Sequence, residues 1–144
     1  MHIAAVLKRK GSTIITANPE DRVDAVARQL AQHRIGAVLV MKGDGVPAGI
    51  LSERDIVRAV AKDGAAALER PAADLMTREL VTGRPSDTVS QIMAVMTERR
   101  IRHLPIVEED RLVGLVSIGD VVKARLDDAE LEVESLRGYV AGMG

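Results

Sequence analysis

A pattern that occurs twice constrains this chain more than any other feature. Ile15-Thr16-Ala17-Asn18-Pro19 returns as Val81-Thr82-Gly83-Arg84-Pro85, 66 residues later. Self-similarity at a fixed period signals a repeated supersecondary unit. After each proline comes a helical pattern: Val23, Val26, Ala27 and Leu30 in the first copy, Val89, Ile92, Met93 and Met96 in the second. Both sets follow i, i+3, i+4, i+7, the buried stripe of an amphipathic helix. Turn-forming and acidic residues, Asn18 to Asp21 and Ser86 to Asp87, stand where helix starts prefer them. Ile35 and Ile101 then lead into Ala37-Val38-Leu39-Val40-Met41 and Leu104-Pro105-Ile106-Val107, short apolar runs that read as buried strands. A turn follows in each copy, Lys42 to Gly45 or Glu108 to Arg111, and then a second strand, Gly49 to Ser52 or Gly114 to Ser117. A hairpin is expected in both. The spacing falls to 65 past that turn, a length change where loops tolerate it.

A second helix closes each copy. It starts near Asp55 or Asp120 and is expected to bury Ile56, Val57 and Val60, or Val121, Val122 and Leu126. Each copy therefore reads β-α-β-β-α over about 50 residues, too few to bury a comfortable core alone. The expected fold is α+β: two tandem repeats packed through their sheets, with approximate two-fold symmetry and a cleft between them. Residues 1–66 form the first repeat and 67–127 the second, with a C-terminal helical tail at 128–144. The stretch Asp63 to Pro71 reads as a linker that runs into a helical turn at Ala72 to Met76. Leu131, Val133, Leu136 and Val140 give the tail an irregular helical spacing, suited to packing on the pair or on a second subunit.

Composition excludes several functions. The 144 residues carry 20 Lys and Arg against 21 Asp and Glu, a net charge of −1, so the surface has no nucleic-acid bias. There is no Phe or Trp and one tyrosine, Tyr139, which argues against binders that stack bases on aromatic rings. The core must be aliphatic. Cysteine is absent, which removes disulfides, thiolate nucleophiles and zinc–thiolate sites. The longest apolar run, Ile35 to Met41, is too short to span a bilayer. Met1-His2-Ile3-Ala4 lacks a basic region ahead of an apolar stretch, so no secretory signal is expected and the cytoplasm is the default compartment.

The repeated signature with chemical content is Gly-x-x-Ser-x-x-Asp, Gly49 to Asp55 and Gly114 to Asp120. Taken singly, a Ser followed three residues later by an acid is a capping box for a helix start. Taken twice at matching positions, it also places two carboxylates on corresponding ends of a paired fold. A carboxylate offers two acceptor oxygens, which suit the two hydroxyls of a ribose cis-diol, while Ser reaches a ribose or phosphate oxygen. The glycine permits close backbone approach. The other candidates are weaker. His33 reads as a surface residue near a helix end and His2 as mobile, and three scattered histidines do not make a metal site. Gly43-Asp44-Gly45 is a turn, and no phosphate-binding loop pattern is present. Ser52 and Ser117 lack a local His partner, so a hydrolase triad is not supported. Met93 and Met96 read as core filler.

On these residues the chain resembles a CBS-domain pair, or Bateman module, of the stand-alone tandem type. The resemblance rests on Leu75-Met76-Thr77, Val81 to Pro85, Ile101 to Ile106 and Gly114-Leu115-Val116-Ser117-Ile118-Gly119-Asp120. The first copy matches more loosely, through Asn18-Pro19, Ile35-Gly36-Ala37 and Gly49 to Asp55. It covers roughly residues 3 to 126. It implies that adenosine ligands bind in the central cleft at up to two sites. Carried over by position, one site uses Asp55, Ser52, Thr82, Arg102, His103 and Leu104, and the other uses Asp120, Ser117, Thr16, Asn18 and Ala37. Arg54, Pro105 and Ile118 flank these positions.

The copies are not equal. Arg102-His103 corresponds to Gly36-Ala37, and Arg54 to Gly119. Arg99, Arg100, Arg102 and His103 form the densest basic cluster, which suits either a helix end or phosphate contact. The Asp55 site is therefore expected to hold phosphates more strongly. The expected function is a non-catalytic regulatory sensor. It would bind AMP, ADP, ATP or NAD(H) and pass occupancy to an unidentified effector protein or to its own oligomeric state, as a homodimer. S-adenosylmethionine fits Arg102 and His103 less well than an anionic ligand does. No catalytic cofactor, nucleic acid or membrane partner is expected. The competing reading is a ligand-free dimeric scaffold whose Ser/Asp pairs serve only as caps.

Overall fold

The computed structural model describes residues 1–11 and 13–143, with side chains through residue 139. In chain order the elements are α1 (Ile3–Lys10), β1 (Thr16–Ala17), α2 (Val23–His33), β2 (Ala37–Met41), β3 (Pro47–Ser52) and α3 (Glu53–Asp63). A 3-10 turn (Gly64–Glu69) and α4 (Ala72–Leu75) follow, then α5 (Val89–Arg99), β4 (His103–Glu108), β5 (Arg111–Ser117) and α6 (Ile118–Met143). The chain divides into two compact units. One holds Thr13–Thr82 with Val107–Val113, and the other holds Met1–Ser12, Gly83–Ile106 and Gly114–Gly144.

In the first unit, β1 pairs parallel with β2, and β2 pairs antiparallel with β3, with Ala37 opposite Ser52 and Val38 opposite Leu51. The strand β2 is buried from Ala37 to Val40, as its unbroken apolar run requires. The helix α2 buries Val23, Val26 and Leu30 as its periodicity predicts. These residues form one cluster with Val38, Val40, Leu51, Ile56, Ala72 and Met76.

The second unit repeats the plan. The helix α5 buries Val89, Ile92 and Met96. Leu104, Ile106, Val116 and Val121 are fully buried as well. The local devices recur at 66-residue spacing. Asp21 accepts the Asn18 N–H and Asp87 accepts the Arg84 N–H, both at 2.9 Å. The helices α2 and α5 each end on a left-handed arginine, Arg34 and Arg100. Beyond them Ile35 N–H donates to Leu30 and Ile101 N–H to Met96, both at 3.0 Å. A six-to-one bond of this kind past a left-handed residue is a Schellman close.

Several expectations are corrected. The second copy's first strand, expected at Val81 to Pro85, is reduced to a single parallel bridge from Gly83 to Ile106. Gly83 stands where the first copy has Ala17, and glycine weakens a strand; the stops beyond it, Pro85 and the Asp87 bond to the Arg84 N–H, recur in the first copy as Pro19 and Asp21. In the closing helices Ile56 and Val121 are buried, but Val57 (66% exposed), Val60, Val122 and Leu126 face outward. The second closing helix and the tail are one continuous element, α6, because nothing from Leu126 to Asp128 breaks a helix. Leu131, Val133 and Leu136 are exposed on it, and the Val140 side chain lies outside the described residues. The segment 64–69, expected as linker, is a 3-10 turn that buries Ala67.

The helix α1 was not expected at all. It is held by Ile3 and Ala4 N–H groups donating to the carbonyls of Asp87 and Pro85, each at 2.9 Å. Such partners, some 80 residues away in the chain, leave no local signal. His2, expected to be mobile, occupies the N-cap position of α1 without a side-chain capping bond and bridges to Thr88 through the backbone. No described helix is long and apolar enough to cross a membrane.

Candidate functional site

Each Gly-x-x-Ser-x-x-Asp segment carries a hairpin strand directly into a helix. At the first, the Ser52 N–H and hydroxyl both donate to Asp55 Oδ2 at 2.9 Å, and the Asp55 N–H donates back to Ser52 Oγ at 3.2 Å. At the second, the Ser117 N–H donates to Asp120 Oδ2 at 2.8 Å and the Asp120 N–H to Ser117 Oγ at 3.2 Å. Both acids therefore cap their helices, and both remain half-buried rather than turned out to bulk water. Among the described residues, Oδ2 takes all of these bonds and no hydrogen bond reaches Oδ1 of either acid.

A second contact repeats. The Glu53 N–H donates to the Gly36 carbonyl at 2.9 Å, and the Ile118 N–H donates to the Arg102 carbonyl at 2.8 Å. The first residue of each motif helix is thus tied to the entrance of the strand beside it. In the first unit this groups Ser52, Arg54 and Asp55 with Ala37. In the second it groups Ser117, Ile118 and Asp120 with Arg102 and His103. Leu104 and Pro105 are buried in β4, and the Pro105 carbonyl accepts the Gly83 N–H at 2.9 Å. Thr16 is exposed on β1, with Asn18 exposed just beyond it. Thr82 is exposed outside any strand. Arg54 and Arg102 are exposed and His103 is half-buried.

The glycines explain themselves differently from the sequence reading. A Cβ on Gly49 would lie 2.7 Å from Met76 Sδ and 2.9 Å from the Thr77 carbonyl oxygen. A Cβ on Gly114 would run into Leu7 Cδ2. The close approach is made by the chain itself, through the segment that enters beneath each motif.

One site residue was missed. Lys10 Nζ sits 2.8 Å from Asp120 Oδ2 and donates to the Leu115 carbonyl at 2.8 Å. Burial works to raise the Asp120 carboxyl. The Lys10 ammonium and the Ser117 groups outweigh it and hold the carboxyl below its ordinary value. Only the charge of Lys10 hinted at this in the sequence. Among the described residues no group of His, Asp and Glu is arranged to hold a metal ion. A groove of about 430 Å³ between α2 and α3 is lined by Leu30, Ile35, Ile56 and Val57 among others, and includes none of the expected site residues.

A duplicated hairpin-and-helix unit with a serine-capped acid at each motif helix defines a class of small tandem α+β modules. The CBS domain family model matches residues 11–62 and 72–127. The chain belongs to the CBS-domain family. It is 34% identical over 148 residues to the mitochondrial CBS domain-containing protein CBSX3 of Arabidopsis thaliana, covering 97% of this chain and 72% of that one. A CBS-domain containing protein of Agrobacterium tumefaciens is 44% identical, with a TM-score of 0.83 over 87% of this chain and 99% of that one. A CBS domain pair solved with 5′-methylthioadenosine and S-adenosyl-L-methionine has the same fold, with a TM-score of 0.77 at 23% identity over 86% of this chain and 98% of that one.

Proposed function

We propose that the chain is a non-catalytic regulatory module that binds an adenine nucleotide through its Ser52–Asp55 and Ser117–Asp120 ends. One observation carries the reading. Both acids are half-buried, both are held in place by their caps, and both keep a carboxylate oxygen that no described group bonds. An oriented carboxylate with unspent acceptor capacity is what a ribose diol requires. The CBS pair bound to two adenosine compounds supports the ligand class. Arg102 and His103, at the entrance of β4, favour an anionic member of it: AMP, ADP, ATP or NAD(H). Aliphatic side chains receive the adenine, since the chain has no Phe or Trp.

Output passes to an effector protein or through self-association. The outward Val57 and Val60 on α3, and Val122 and Leu126 on α6, are apolar surfaces of the sort that homodimers cover. A thermal-shift panel of adenine nucleotides tests the reading. A specific ligand at 100 times its dissociation constant adds about 2.7 kcal/mol of stability. No shift with any adenosine compound would favour the ligand-free scaffold.

A further inference from the structure

The two acids differ in one respect that bears on how they would fill. Among the described residues Asp55 makes no ion pair, whereas Asp120 is already engaged by Lys10 at 2.8 Å. Lys10 is the last residue of α1, and α1 is well anchored. Ile3 and Val6 are buried, Leu7 fills the space over Gly114, and Arg9 pairs with Asp127 at 2.9 Å. The ammonium is held at a second point by the Leu115 carbonyl.

We infer that Lys10 is a latch on the second carboxylate: Oδ1 of Asp120 is open, but Oδ2 is taken by the Ser117 N–H and Lys10, so a ribose diol that uses both oxygens must displace Lys10; this rests on the function proposed above. An ammonium adds the attraction of a full opposite charge to its hydrogen bond with a carboxylate, which a neutral hydroxyl lacks, so ribose hydroxyls do not outcompete Lys10 without other contacts. The latch is also openable. Lys10 is 41% exposed and Asp120 25% exposed, and a pair at that exposure biases an equilibrium by no more than about fivefold. A site that is competent for only part of the time binds with an affinity reduced by that fraction. The Asp55 end therefore fills first and the Asp120 end at higher concentration. Filling of the second end frees the last turn of α1.

The test is calorimetry with adenosine, an uncharged probe whose own binding adds no phosphate salt dependence. The Asp55→Ala chain isolates the second end and is compared with and without Lys10→Met. Lys10→Met should tighten adenosine about three- to fivefold. Raising salt from about 50 to 500 mM should tighten binding only where Lys10 is present, because screening weakens the pair. In the unaltered chain, saturating adenosine should speed amide exchange at Gly11, whose N–H donates to the Leu7 carbonyl at 3.1 Å.

Adenosine binding that Lys10→Met leaves unchanged or weakens overturns the latch and leaves the proposed function standing. Binding in the unaltered chain that both Asp55→Ala proteins lack also overturns it. No binding of adenosine or any adenine nucleotide by any of these proteins overturns the function, and the latch with it.

Discussion

In the first unit the carbonyl of Ile50, one residue past the motif glycine, accepts the backbone N–H of Thr77 at 2.8 Å, and the Ile50 N–H donates back to Thr77 at 3.0 Å. In the second unit the matching carbonyl, that of Leu115, accepts the ammonium of Lys10 instead. Met76 covers Gly49, and Leu7 covers Gly114. The same place beneath each motif is filled by the segment that precedes the other copy in sequence: α4 and Thr77 under the first copy's motif, α1 under the second's. One contact is backbone to backbone and the other is a long cationic side chain. The two sockets are alike and the plugs differ, and the difference puts a charge next to one of the two acids.

The largest expected effect follows from the stiffness of the two plugs. Gly49→Ala pushes a methyl against a backbone oxygen and Met76, and should cost about 1–3 kcal/mol in urea unfolding. Gly114→Ala meets only the tip of the half-exposed Leu7, which can turn aside, and should cost less than about 1 kcal/mol. Equal costs would break the comparison. Next, Arg102→Ala should weaken nucleotide binding by roughly 1–3 kcal/mol if it makes a charge-assisted contact. Its carbonyl tie to Ile118 needs no side chain, so stability should be little changed. Unaltered affinity by calorimetry would remove Arg102 from the site.

A smaller effect distinguishes the hairpins. The first turn places glycine at two of its three left-handed positions, Gly43 and Gly45, with Asp44 at the third. The second is a two-residue turn, Glu109-Asp110, with φ of 52° and 62° and no glycine. Asp110→Gly should raise unfolding stability by about 0.5–1 kcal/mol by relieving that conformation. No gain would mean the acidic turn is not strained.

The smallest effect is electrostatic. The Asp120 carboxyl titrates lower when folded, so the stability it contributes is present above the unfolded value of about 4 and is lost as pH falls through the lower folded value. Lys10→Met should flatten the acid limb of a stability–pH curve by a few tenths of a kcal/mol, small because the pair is half-exposed. An unchanged acid limb would show that Lys10 is not the partner in solution.

The repeat was legible because helical stripes, strands and capping boxes are local patterns. The buried faces of α2 and α5 can be read from Val23 to Leu30 and from Val89 to Met96 without knowing any partner. The two Ser/Asp boxes were legible for the same reason, since their bonds span three residues. What escaped depends on distant partners. Eight residues at 3–10 form a helix because Asp87 and Pro85 receive its first N–H groups, and Lys10 matters only because Asp120 lies beside it. Val57 and Leu126 read as buried from the sequence because apolar residues usually are. Periodicity alone does not reveal that only one stripe of each closing helix has something to pack against.

The unbroken run of α6 has a mechanical consequence. Its 26 residues, at 1.5 Å each, make a rod about 39 Å long, with Asp120 in its first turn. On a rod of that length a pivot of about 5° at the acid end sweeps the opposite end through about 3 Å. Leu131, Leu136 and Tyr139 ride on the far arm, open to solvent. Under the proposed function, a small adjustment where a sugar would be gripped would be enlarged at that arm.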